Sequence, residues 1–202
     1  ESADGVTWVE LKSPGKGWYF DFEQDPFTHG WTTTGTGWKW GEDTVTYGAG
    51  DGHVSGLKAL YTFDGNYLND IATTITSPTM NCEDCTGGWE INLMKMLEVE
   101  GMPYDEASIK VTKPDGSWET VWQAPQSKEI FFSKLSVDVS MYIAGNADFQ
   151  IQFVLISDKS KTFSGWNLDD LHVRPKGAVG WHKILDNAQY HGEYEGTGYK
   201  PL

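Results

Sequence analysis

Basic side chains are scarce in this sequence: 15 Lys and Arg stand against 29 Asp and Glu among 202 residues, a formal net charge of -14. Phosphate backbones and anionic membrane surfaces are met by clustered Lys and Arg, so no nucleic acid and no anionic lipid is expected as a partner. No apolar run approaches the ~18 residues that a membrane span requires, and no membrane span is expected. Cysteine is confined to Cys82 and Cys85. No second cysteine pair and no closely spaced histidine pair completes a four-ligand zinc site. Catalytic signatures are also missing: there is no His-Glu-x-x-His, no Gly-x-Ser-x-Gly and no phosphate-binding glycine loop. The run His191 to Glu195 lacks a second histidine at helical spacing, so peptidase and nucleotide chemistry are disfavoured.

Aromatic residues make up 14% of the chain, with 10 Trp, and Gly numbers 23. Aromatic and β-branched side chains suit the pleated, half-buried surface of a strand, so the class is mostly β. Period-two alternation marks about ten strands: Trp18 to Glu23, Trp38 to Trp40, Leu57 to Phe63, Ala72 to Thr76, Trp89 to Glu100, Ala107 to Thr112, Trp118 to Trp122, Leu135 to Val139, Phe149 to Ile156 and Trp166 to Val173. Trp89 to Glu100 also suits a helical stripe, but it holds period two with one break at Lys95. Lys113-Pro114-Asp115-Gly116-Ser117 is the clearest hairpin turn, because Pro pre-sets the first φ and Asp-Gly supplies the positive one. Short strands with regular turn signals and no amphipathic helix predict an antiparallel sandwich over residues 1–173, with 1–17 as a lead-in. From Arg174 the composition shifts, and 174–202 reads as a tail or linker.

Four features bear on chemistry. Cys82 and Cys85 sit in a loop followed by Thr86-Gly87-Gly88 rather than by a helix, so a small structural disulfide is preferred to a redox pair. Such a bridge implies an oxidising, extracellular setting. In Gly165 to Val173, Asp169 is in phase with Leu171 and Val173, which should face the core. A carboxylate at a core edge must be paired, hydrogen-bonded or metal-bound, and Ca²⁺ held by oxygens is the economical partner; a turn cap is the alternative. The loop Asp64 to Asp70 opens like a calcium-binding EF-hand, but Ile75 stands where the closing Glu belongs, so an EF-hand is excluded. Glu90-Ile91-Asn92-Leu93 is faintly similar to the paired-acid strand of some glucanases, with Asn92 and Lys95 at the places where acids are required.

Phe20-Asp21-Phe22-Glu23, Gly30-Trp31, Trp38-Lys39-Trp40-Gly41, Gly65-Asn66-Tyr67, Thr76-Ser77-Pro78, Leu97 to Glu100, Tyr104 to Ala107 and above all Gly165-Trp166-Asn167-Leu168-Asp169-Asp170-Leu171 occur in one order. Over residues 18 to 173 this resembles the MAM-like jelly-roll modules appended to secreted bacterial and archaeal proteases, both immune-inhibitor-A-type and subtilisin-like. The resemblance implies a two-sheet jelly-roll β-sandwich that is not itself catalytic. It implies a structural Ca²⁺ held by Glu23, Asp169 and Asp170, with Asp21 and Asp25 as additional ligands. Glycan-binding jelly rolls use aromatic platforms, for which Trp31, Trp38, Trp40, Trp118 and Trp122 are the candidates. The leading expectation is an extracellular, Ca²⁺-stabilised accessory module that engages a polysaccharide or protein polymer weakly and tethers a linked catalytic domain of the parent chain. A carbohydrate-binding module is the second reading, and a polysaccharide hydrolase or lyase with a carboxylate pair the third.

Overall fold

The longest alternating run, Trp89–Val99, becomes a central strand of the larger sheet in a computed structural model that describes residues 17–44, 53–129, 131–177, 182–184, 191–194 and 199–201. The strands are β1 (Trp18–Phe20), β2 (Thr32–Thr34), β3 (Trp38–Gly41), β4 (Ala59–Thr62), β5 (Ala72–Thr76), β6 (Met80–Cys82), β7 (Trp89–Val99), β8 (Glu106–Thr112) and β9 (Trp118–Gln123). There follow β10 (Ser127–Lys128), β11 (Ser133–Asp138), β12 (Asn146–Phe149), β13 (Ile151–Ile156), β14 (Gly165–Pro175), β15 (His182–Ile184), β16 (His191–Tyr194) and β17 (Tyr199–Pro201). The first sheet runs β10–β7–β14–β4–β3, with β11 also on β7 and β1 on the second half of β14; the second runs β2–β5–β13–β8–β9. All pairings among the described residues are antiparallel, which gives the sandwich expected from the alternation and the jelly roll that the resemblance implies.

One apolar core joins the sheets: Ile91, Leu93, Leu97 and Val99 of β7 belong to the same cluster as Ile109, Val111, Phe153 and Leu155. Trp166 crosses the interior. Its ring lies 5.9 Å from Phe153 and 5.7 Å from Trp122, and its indole N–H donates to Val154 O at 3.0 Å. A buried Trp removes roughly 150–250 Å² from water, worth roughly 4–6 kcal/mol as an upper estimate. Lys95, the break in the β7 pattern, is buried too, and its ammonium bonds Glu129 at 2.5 Å within 5.7 Å of the Trp122 ring. An ion pair and an aromatic face thus supply what an apolar side chain would have.

Several boundaries differ from expectation. The first strand stops at Phe20, because Phe22 takes a left-handed φ of 55° that turns the chain while its ring stays buried against Trp31. Phe149 to Ile156 is two strands: β12 pairs with β6 in a small separate ladder, and β13 joins the second sheet. β14 continues past Val173 to Pro175, and Lys176 N–H donates to Gly88 O at 2.8 Å. The Asp115-Gly116 hairpin forms as read, with Gly116 at φ 80° joining β8 to β9. β15 to β17 pair among themselves as a meander. Cys82 and Cys85 are joined.

Candidate functional site

The strongest correction concerns Asp169. A bulge interrupts β14: Asp169 pairs with Met94 and His172 with Asn92, so three steps on β14 match two on β7, and Asp170 takes φ 47°. The extra residue breaks the phase that links Asp169 to Leu171 and Val173 in the sequence. Asp169 therefore shares the face of Asn167, not of the core, and it is buried because the segment Val54–Lys58 covers it.

That segment is held by carboxylates from two sides. Val54 N–H and Ser55 N–H donate to Asp169 Oδ2 at 2.7 and 2.9 Å, and Asp170 N–H donates to Asp169 Oδ1 at 2.7 Å. Ser55 Oγ and Tyr19 OH donate to Asp170 Oδ1 at 2.8 and 2.5 Å. Leu57 N–H and Lys58 N–H donate to Glu23 Oε1 at 2.9 and 3.1 Å. Between the two anchors lies Gly56 at φ 62°, where a Cβ would fall 1.9 Å from the Glu23 carboxyl carbon. Any other residue there carries left-handed backbone strain and must displace the Glu23 carboxylate. Burial, aided by the Asp170 charge, pushes the Asp169 carboxyl up to about 7 against the pull of its backbone donors. The Tyr19 hydroxyl is pushed up by burial and by Asp170, and burial with Arg174 and Lys134 pushes the His172 imidazole down to about 3.

The expected calcium ligands thus go to different tasks. Asp21 is buried and accepts from Glu23 N–H at 3.2 Å, while Asp25 caps the short 3₁₀ turn Pro26–His29 by accepting from Phe27 N–H at 2.9 Å. Among the described residues, the one set of three acidic, His or Cys side chains that bring an atom each within 4.8 Å of one another lies elsewhere. Among the described residues, Glu23, Asp169, Asp170, Asp21 and Asp25 supply no such set of three, and their carboxylates accept from donors of the protein itself.

The aromatic candidates also divide. Trp31 and Trp38 are only 2% and 9% exposed and fill the core instead of offering a platform. Trp40 is half-buried, donates to Phe22 O at 2.6 Å and lies beneath the Lys58 ammonium, 4.2 Å from its ring centroid. Trp122 is half-buried against Trp166. Trp118, on the edge strand β9, is exposed at 38%.

Sequence reasoning missed a groove of about 430 Å³ that runs past β1, the 3₁₀ turn, β6 and β12. Trp18, Tyr19, His29, Met80, Asn81 and Asp148 line it. Trp18 is braced by Trp89, ring centroids 5.9 Å apart, and the His29 ring is fixed by a 2.7 Å bond between Nδ1 and Asp25 O. The groove therefore combines rigid aromatic surface with amide, imidazole and carboxylate groups, in the 300–1,000 Å³ range typical of ligand sites. Four separate segments contribute, and no local spacing could have signalled their meeting.

No protein-family model matches the chain, and no curated protein does. Solved structures of similar shape include TmCBM61 in complex with beta-1,4-galactotriose (14% identity, 82% of this chain and 97% of that one, TM-score 0.47). Others are the C-terminal family 22 carbohydrate-binding module of Clostridium thermocellum Xyn10B (14% identity, 83% and 98%, TM-score 0.49) and the CBM22-1 xylan-binding domain of Paenibacillus barcinonensis Xyn10C (18% identity, 83% and 99%, TM-score 0.47). At these values the functional reading has to come from the chain's own geometry, and the MAM-like resemblance rests on its motifs alone.

Proposed function

We propose that this chain is a non-catalytic, extracellular carbohydrate-binding module whose ligand, a neutral polysaccharide, lies in the groove at Trp18, Tyr19, His29, Asn81 and Asp148. The groove carries this reading. A sugar ring presents an apolar face of C–H groups and an equatorial belt of hydroxyls, and the groove sets indole and phenol surface beside an amide, an imidazole and a carboxylate. Asn81 and Asp148 are exposed, so their polar atoms reach solvent where hydroxyls would bind. A chain at -14 repels acidic polymers, which favours neutral ones. Binding raises the effective concentration of a linked catalytic domain at its substrate and lowers no chemical barrier. Nothing in this reading requires a cation at Glu23, Asp169 or Asp170.

Affinity electrophoresis and calorimetry against neutral xylans, galactans and glucans test it. Asn81→Ala combined with Asp148→Ala removes exposed polar groups without opening the core and should weaken binding roughly tenfold or more. Trp118→Ala should leave it unchanged. Full binding by the double variant, or turnover of any polymer by the wild type, would overturn the proposal.

A further inference from the structure

At the end of the sandwich where β7 stops and β8 begins, three carboxylates from three strand ends come together. Glu100 follows β7, Asp105 precedes β8 and Asp158 follows β13, and one oxygen of each lies within 4.8 Å of the others. Glu100 is 6% exposed and Asp105 0%. Asp105 accepts from Tyr67 OH through Oδ2 and from Asp158 N–H through Oδ1 at 2.9 Å. Asp158 Oδ1 accepts from Ser160 N–H and Oγ at 2.7 and 2.9 Å. Glu100 Oε1 accepts from the Lys161 ammonium, whose side chain is 66% exposed.

Separately from this clustering, Glu100 Oε2 is buried and has no hydrogen-bond donor. A desolvated carboxylate oxygen without a donor is costly, and this one belongs to a side chain clustered with two further carboxylates. One ammonium against three carboxylates leaves two negative charges, the complement of one divalent cation. An ion with Ca–O distances of about 2.3–2.6 Å touches oxygens up to roughly 5 Å apart and tolerates an irregular ligand set.

We infer that Glu100, Asp105 and Asp158 form a site for one Ca²⁺-class divalent cation, which Lys161 guards as a displaceable counter-charge. The ion joins the end of β7 in the first sheet to the ends of β8 and β13 in the second, and so locks the sheets at this end of the sandwich. Its ligands are distinct from the Glu23, Asp169 and Asp170 set.

The test uses the full chain stripped with excess EDTA, with Ca²⁺ alone as the probe, by calorimetry and by thermal melting. Wild type should bind one Ca²⁺ and melt higher with it. Glu100→Gln and Asp158→Asn should each weaken binding roughly tenfold or more while circular dichroism stays native. Lys161→Met should bind Ca²⁺ more tightly, and Ca²⁺ should restore any stability that it loses. Glu23→Gln should bind as wild type. The inference fails if wild type takes up no Ca²⁺, if Glu100→Gln and Asp158→Asn bind normally, if Glu23→Gln abolishes uptake, or if Ca²⁺ does not restore Lys161→Met.

Discussion

Replacing Asp169 by Asn should abolish a pH dependence of stability that has an unusual sign for a carboxylate. Asp169 is fully buried, and burial together with Asp170 holds its carboxyl at about 7, against an ordinary value of 3.8. The folded protein therefore keeps a proton that the unfolded chain releases between pH 3.8 and about 7. Stability from this group is complete below that window and declines as pH rises through it. A shift of about three units at 1.36 kcal/mol each corresponds to roughly 4 kcal/mol. His172, with its imidazole pushed down to about 3, acts in the opposite direction below its ordinary 6.5, because the unfolded chain takes up the proton first. Total stability therefore conceals the Asp169 contribution, and the difference between wild type and Asp169→Asn isolates it. Urea denaturation of both proteins across the acid-to-neutral range, with excess EDTA, should show wild type losing up to roughly 4 kcal/mol relative to the variant as pH rises. A pH-independent difference would refute the burial argument. A difference of opposite slope would show a carboxylate stabilised as the anion, as a bound cation would make it.

His172 should remain neutral in the folded state until the pH approaches about 3, as read from its imidazole resonances; ordinary titration near 6.5 would contradict its burial and, after that, its proximity to Arg174. Gly56→Ala should destabilise by roughly 1–3 kcal/mol in urea, because it adds a Cβ against the Glu23 carboxylate and imposes a left-handed backbone on alanine. Trp166→Ala should cost about 3–5 kcal/mol and Trp118→Ala less than about 0.5, since one ring spans the core and the other faces water. Native protein made under oxidising conditions should present no alkylatable thiol at Cys82 or Cys85, and Cys85→Ala should cost only about 2 kcal/mol because the ring is small.

The acids that hold the segment Val54–Lys58 can be named from the sequence, but not their arrangement, and the groove formed by Trp18, Tyr19, His29, Asn81 and Asp148 cannot. Glu23, Asp169 and Asp170 stand out there as acids with a task, and all three do meet one segment, Val54–Lys58. They act as acceptors for its N–H and O–H groups, an outcome invisible to spacing because the donors lie 34 and 35 residues from Glu23 and more than 100 from Asp169. The bulge at Asp170 is equally hidden: period-two counting assumes an unbroken ladder, and a single inserted residue reverses every facing beyond it. Trp31 and Trp38 illustrate the same limit, since indole suits both a core and a sugar platform and only burial distinguishes them.

Local choices were legible in the chain: alternation set β5 to the residue and β7 to within one, and Pro114-Asp115-Gly116 set the β8–β9 hairpin. These follow from neighbours along the chain, because strand pleat and turn φ are properties of a few consecutive residues. It took the packed sandwich to bury Lys95 against Glu129, to place Trp18 and Asp148 in one groove, and to bring Glu100, Asp105 and Asp158 together. Those outcomes depend on which strand ends the jelly-roll connections make neighbours. Such proximities join residues tens of positions apart, and local pattern holds no information about them.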